Sequence, residues 1–319
     1  MTNPLKEVTV FAPASVANVA VGYDILGFAL EEPGDEIIAR LSEQPGLRIK
    51  AITGDGGRLP YTIADNTAGY AAQRLLQSMN REEMGIELEI HKKMPFGSGL
   101  GSSAASAAGA VMAINELLGA PFGKRQCLRA AVEGEQVADG AFHADNVAPS
   151  LLGGITLIRS NQELDVIQLP VPEDLCAAVV YPHVEVLTKE ARSILQEAVS
   201  LEACIEQTGN VAAFIASLYN RDTDLLSRSL RDVIIEPQRA RLIPHFYKVQ
   251  QAATDAGALG CSISGAGPSI FALCDRLSTA RACGEAMASV FEKAGIAREL
   301  FVSPINTTGA TRVRQTVHS

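Results

Sequence analysis

The chain predicts an α+β fold in two domains, and three observations carry that expectation. Strand-like and helix-like segments are mixed in both halves, without the strict alternation of a doubly wound sheet. Apolar residues make up 47% of the 319 positions and charged residues 20%, a globular balance in a chain long enough for two ordinary domains. Midway, Leu164–Glu173 interrupts the pattern with Pro170 and Pro172. The expected domains are therefore 1–168 and 169–319.

Glu7–Ala12 reads as a first strand ending at Pro13. Asp35–Arg40 and Leu47–Ile52 alternate as strands do, and Asp55-Gly-Gly-Arg58 is a turn. Asn66–Ser78 has helical apolar spacing, with Asn66 or Thr67 as its N-cap. Gly85–His91 alternates cleanly and delivers the chain to Pro95. An alanine-rich helix over Ala104–Leu118 closes at Gly119, and another follows over about Gly123–Ala138. Leu151–Ile158 reads as a strand. In the second half, Cys176–Tyr181, Ser269–Cys274 and Arg298–Val302 are expected strands. Helices are expected over Thr188–Gln207, Val211–Asn220, Leu225–Asp232, Leu242–Ala256 and Thr279–Lys293.

The most informative stretch is Pro95-Phe-Gly-Ser-Gly-Leu-Gly-Ser-Ser-Ala-Ala105. Gly97, Gly99 and Gly101 alternate, and Ser102 and Ser103 follow. A loop without Cβ atoms lets backbone N–H groups approach a ligand closely. A helix N-terminus adds unpaired donors and a positive dipole end, so together they suit phosphate oxygens. The same residues also read as a flexible loop before a helix capped by Ser102 or Ser103. No Gly-Lys-Ser/Thr closes the loop, so it is not a Walker A motif.

Two other segments carry weaker signals. Pro13–Gly27 sets Asn18 and Asp24 among small residues, either to meet a small ligand or as ordinary turn caps. Gly257–Ser269 contains Gly265-Ala-Gly267, which reads as an anion nest or as a plain hairpin-like turn.

A net charge of −9 argues against a nucleic-acid partner. No apolar run reaches membrane-spanning length, and the first residues lack the plan of a signal peptide. A cytoplasmic protein is expected. The six cysteines form no Cys-x-x-Cys pair and are expected to be free thiols. The five histidines show no metal-ligand spacing, so any catalytic metal should arrive with a substrate, as Mg²⁺ does with ATP.

In their order, the three glycine-and-hydroxyl segments resemble the GHMP kinases, which include galactokinase, homoserine kinase, mevalonate kinase and phosphomevalonate kinase. The resemblance runs from about Val8 to Phe271. The family's middle motif, Pro-x-x-x-Gly-Leu-Gly-Ser-Ser-Ala, is matched by Pro95–Ala104. Its third, Gly-x-x-x-Ser/Thr-Gly-Ala/Ser-Gly-Pro-Ser, is matched by Gly260–Ser269. Four further stretches are similar to the homoserine kinase branch: Pro13–Asn18 with Gly22-Tyr-Asp24, His143–Pro149, Thr188–Arg192, and Glu236–Arg239 followed by Leu242-Ile-Pro244. One departure is Ala20, where that branch usually has Gly. If the position needs φ > 0, alanine costs energy there.

The resemblance implies a ribosomal S5-like N-terminal domain and a ferredoxin-like C-terminal domain, with the active site between them. It implies ATP and Mg²⁺ as cofactors. Pro95, Gly97, Ser98, Gly99, Leu100, Gly101, Ser102 and Ser103 would hold the phosphates, with Gly265 and Gly267 beside them and Asn66 against the adenosine. Ser103 and Glu135 would hold Mg²⁺, although Glu135 beside Glu133 also reads as a solvated helix carboxylate.

For the acceptor, Arg192 and Arg239 suit a carboxylate and Asp24 an ammonium or hydroxyl, with Asn18, His143, Asn146 and Thr188 completing the pocket. Both arginines also read as surface charge. Asp24, Asn146 and Glu135 are the expected catalytic residues. Mevalonate kinase-like relatives place an Asp at the position of Asn146, which cannot accept a proton. Proton removal is then not strongly assisted by the protein, or falls to Asp24, His143 or a phosphate oxygen.

The implied reaction is transfer of the ATP γ-phosphate to the side-chain hydroxyl of L-homoserine, in threonine biosynthesis, by a homodimer. The alternatives are another kinase of the superfamily and a catalytically silent ligand sensor.

Overall fold

A computed structural model describes residues 5–140 and 142–313. In the first half, β1 (Glu7–Ala17), β2 (Leu26–Leu41), β3 (Leu47–Thr53) and β4 (Ile86–His91) lie in the order β1-β2-β4-β3. The β3–β4 pair is parallel and joined through α1 (Thr67–Ser78), while β2 pairs antiparallel with both β1 and β4. On β4, Ile86, Leu88 and Ile90 are buried on one face, and the polar residues between them are half-buried.

Against this sheet lies α2 (Ser102–Leu117), with thirteen of its sixteen residues buried. It is apolar all round because it is wrapped by the sheet, α1 and α3 (Lys124–Asp139), and its alanines permit that close approach. After α4 (Val147–Leu152), the hairpin β5 (Ile155–Ser160)–β6 (Asp165–Leu169) joins the sheet by pairing β5 with Leu26–Phe28 of β2.

The second half runs β7 (Cys176–Pro182), α5 (Thr188–Ser193), α6 (Leu201–Asn220), α7 (Thr223–Ser229), α8 (Glu236–Arg239) and α9 (Phe246–Asp255). It continues with β8 (Gly260–Ile263), β9 (Ile270–Cys274), α10 (Leu277–Lys293), β10 (Arg298–Pro304) and β11 (Thr311–Arg312). A four-stranded antiparallel sheet, β10-β7-β9-β8, carries α9 and α10. The chain then returns, and β11 becomes the seventh strand of the first sheet beside β1.

The α+β expectation holds, Asn66 caps α1 by accepting from the Gly69 N–H, and all six cysteines are free. Several boundaries differ. The first strand passes through Pro13 to Ala17, because the register shifts between Pro13 and Ser15 and relieves the missing N–H. The strand expected over Leu151–Ile158 is the end of α4, then two glycines, Gly153 and Gly154, with positive φ, then β5. The helix expected over Thr188–Gln207 breaks after Ser193, and α6 then runs unbroken from Leu201 through Val211 to Asn220.

The hydroxyl cap expected for α2 is not formed: Gly101 is its N-cap, and Ser102 and Ser103 lie inside its first turn. The helix expected over Leu225–Asp232 is shifted to Thr223–Ser229, where Asp222 caps it. The helix expected from Leu242 begins at Phe246, since Pro244 and a left-handed His245 precede it. Strands β6, β8 and β11 are short and lay outside the expected set.

Candidate active site

The glycine loop leaves β4 and enters α2 with Gly97, Gly99 and Gly101 at φ +63°, +77° and +65°. Two of these positions cannot hold a side chain. A Cβ on Gly99 would fall 2.5 Å from the Ser264 carbonyl oxygen, and one on Gly101 would fall 2.2 Å from Ser15 Oγ. Ser98 Oγ donates to the Pro95 carbonyl (2.8 Å), and the Leu100 carbonyl accepts from Ser15 N (3.0 Å). The third motif braces the loop from outside: Ser264 Oγ donates to the Gly99 carbonyl (2.6 Å), Ser269 N donates to that of Ser98 (3.2 Å), and Gly267 packs against Ile243 and Ile263.

No side chain caps α2, and Ser102 Oγ is buried without a hydrogen-bond partner among the described residues. An uncapped helix start beside an orphaned hydroxyl fits a phosphate group. Ser103 Oγ, one position on, donates to Glu135 Oε1 of α3 (2.7 Å). A hydroxyl and a carboxylate, completed by phosphate oxygens, form a donor set suited to Mg²⁺. The described residues contain no cluster of three or more His, Cys, Asp or Glu able to hold a metal ion.

Beneath the loop lies a buried ion pair outside the expected site. Lys92 Nζ pairs with Asp35 and donates to the Ser102 carbonyl and to Ser106 Oγ (both 2.7 Å). Burial lowers the Lys92 pKa, while the charges of Asp35 and, more weakly, Glu135 raise it. Strand alternation could have found both members: Lys92 continues the Ile86-Leu88-Ile90 phase, and Asp35 precedes Ile37 and Ala39 in phase.

Asn18, Asp24, Glu135, His143, Asn146, Thr188, Arg192, Arg239 and Gly265 line one cleft. Asp24 accepts from Arg192 Nη1 and Nη2 (3.1 and 3.3 Å), and His143 Nδ1 lies 3.2 Å from Arg192 Nη2 and 3.5 Å from Asp24 Oδ1. Arg239 is 4% exposed and serves the fold as well. It donates to the Ala191 and Gly265 carbonyls (both 3.0 Å) and to Tyr23 Oη (3.2 Å), with the Tyr23 ring 4.9 Å from its guanidinium. Asn18 is similarly engaged, accepting from Asp24 N (3.1 Å) and donating to the Gly265 carbonyl (2.9 Å). Thr188 is exposed at the start of α5.

Asn66 stands outside this cleft, its amide bonded to Gly69 N and to the Pro60 carbonyl. Ala20 has φ +59°, inside a left-handed run with Asn18 (+70°) and Val19 (+44°). The position does require φ > 0, and alanine is strained there.

The family model "GHMP kinases N terminal domain" matches residues 66–154, and "GHMP kinases C terminal" matches 214–293. A curated homoserine kinase from Chlorobium phaeobacteroides (strain BS1) is 47% identical, over 96% of this chain and 99% of its own length. That from Chlorobaculum tepidum is 46% identical, over 98% and 100%.

The chain belongs to the homoserine kinase branch of the GHMP kinases.

A crystal structure of homoserine kinase from Cytophaga hutchinsonii has a TM-score of 0.95 at 50% identity, covering 98% of this chain and 99% of that one. Mevalonate kinase from L. major, in complex with R-mevalonate, has a TM-score of 0.71 at 18% identity over 95% and 99%, a likeness of fold. Within this GHMP kinase cleft, sequence reasoning missed Asp145 and Tyr23, though both lie inside quoted motifs. Asp145 is buried; burial and then the Asp24 charge push its carboxyl up to about 7, and Arg192 opposes them. The signal for Tyr23 was its place beside Asp24, which sets its ring near both Arg192 and Arg239.

Proposed function

We propose that this ATP-dependent kinase transfers the γ-phosphate of ATP to the side-chain hydroxyl of L-homoserine, giving O-phospho-L-homoserine for threonine biosynthesis. The observation that carries the acceptor is the Asp24–Arg192–His143 cluster, a ready set of opposite charges in the cleft that Glu135 also lines. A zwitterionic amino acid can replace that internal pair with two pairs of its own. Its carboxylate meets Arg192, with Arg239 behind, and its ammonium meets Asp24.

Phosphoryl transfer needs alignment and charge neutralisation more than covalent help. In this reading the Gly97–Ser103 amides and the start of α2 bind the ATP phosphates. Ser103 and Glu135 would hold Mg²⁺, which when bound supplies positive charge to the phosphate oxygens. Asn146 positions the acceptor hydroxyl. Gly265 and Gly267 act through the loop they brace. Asn66 shapes the start of α1 near the expected adenosine end. The proposal extends to a homodimer, to domains 1–168 and 169–319 with β11 reaching back to the first sheet, and to the cytoplasm, the last supported by six unpaired cysteines.

The test is ADP release with Mg-ATP against L-homoserine, L-threonine, mevalonate and galactose. Turnover with homoserine is expected. Glu135→Ala should lower kcat by about a hundredfold or more, the scale of losing one preorganised electrostatic contact. Arg192→Ala should raise the homoserine KM by about 10- to 100-fold, the worth of a charged hydrogen bond, and leave the ATP KM unchanged. Turnover confined to another acceptor would overturn the homoserine reading, and silence on all four would favour a ligand sensor.

A further inference from the structure

We propose that Ser15 is a positioning residue that fixes the Asn146 amide, so that Asn146 turns hydrogen-bond donors toward the reacting groups. The bond itself stands on geometry, while its catalytic value rests on the kinase reading above.

Ser15 lies on β1 and is fully buried. Its N–H donates to the Leu100 carbonyl (3.0 Å), which ties it to the phosphate loop. Its hydroxyl donates to Asn146 Oδ1 (2.9 Å), across 131 residues of sequence. The missing Cβ of Gly101 would fall 2.2 Å from Ser15 Oγ and 2.8 Å from Asn146 Oδ1. The pair therefore fills the space directly behind the loop.

A buried hydroxyl without an acceptor for its hydrogen costs free energy, so most such hydrogens find one. For Ser15 the acceptor among the described residues is Asn146 Oδ1. That bond decides which way round the amide sits. The carbonyl end faces Ser15, and the NH₂ end is left for the cleft that Asn146 lines. There it donates to the acceptor hydroxyl oxygen or to an oxygen of the transferring phosphoryl group. It takes no proton. Its contribution is orientation and stabilisation of negative charge. The one contact also couples the loop that binds phosphate to the residue that meets the acceptor, so both ends of the reaction share a fixed reference.

The experiment is a double-mutant cycle of Ser15→Ala and Asn146→Ala on the full chain, with kcat and both KM values measured. Ser15→Ala is expected to lower kcat by about 10- to 100-fold with each KM changed less than about threefold, below the cost of losing a direct transition-state donor because Asn146 itself remains. The double variant is expected to be no slower than Asn146→Ala alone, because Ser15 acts through Asn146. Additive losses would overturn the proposal. A second readout needs no turnover: the side-chain amide NMR signals of Asn146, identified by their loss in Asn146→Ala, should shift in Ser15→Ala while the backbone spectrum is retained. Unchanged amide signals would overturn the proposal even if every acceptor proved inert, an outcome that by itself would overturn the kinase reading instead.

Discussion

The Gly97–Ser103 loop, joined to the cleft residue Glu135 through Ser103, is contiguous backbone locked by left-handed glycines and by bonds from Ser15 and Ser264. The cleft around Asp24 and Arg192 is built from charged side chains 168 residues apart, which satisfy one another. A backbone cradle is set before the ligand arrives, and its carbonyls and amides have no rotamers to search. An ion pair between partly exposed side chains is exchangeable, because the energies of such pairs are small and a zwitterion can supply equivalent partners. The kinase thus holds its glycine loop rigid and leaves the Asp24–Arg192 pair replaceable.

The largest test of that contrast is Lys92→Met. It leaves Asp35 buried without its cation under the glycine loop, although the Lys93 and Met94 N–H groups still reach Asp35. A loss of about 3–5 kcal/mol in urea unfolding is expected, as for breaking one side of a buried pair. A loss below about 1 kcal/mol would remove this pair from the rigid end's support.

At the acceptor end the comparison is sharpened by pH. Asp145, held near 7, keeps its proton in the native protein from about pH 4 to 7, where the unfolded chain has lost it. The native state binds more protons in that window, so this group's contribution to stability falls as pH rises through it. Asp145→Asn should remove a decline of about 4 kcal/mol between pH 4 and 8, read as urea midpoints at the two pH values. An unchanged pH slope would break the assignment.

The smallest effect concerns the turn between them. Ala20→Gly should raise stability by about 1 kcal/mol, since glycine accepts φ +59° without a Cβ clash. A fall in stability would mean that the Ala20 methyl, 3% exposed in the core, outweighs the strain.

The glycine loop was legible because its conformation is local: glycine spacing and the following small-residue helix are properties of neighbouring positions. Ser103 with Glu135 came from family resemblance and meets in space. Asn66, also from family resemblance, caps α1 and donates to the Pro60 carbonyl. Lys92 and Asp35 were overlooked even though strand alternation places both on the buried face. Ser15 had no local signal, since its partner lies 131 residues away.

Composition, alternation and glycine placement by themselves determined the α+β class, most strands and helices, and the glycine loop. Each is governed by dihedral freedom and by burial of one face, which act over a few residues. Tertiary structure alone decided that β11 returns to the first sheet, that Arg239 is buried against Tyr23, and that the Asn146 amide is held from behind by Ser15. Those outcomes depend on which distant hydrogen-bond donors find acceptors once water is excluded, and a buried polar group takes the partner that packing brings to it.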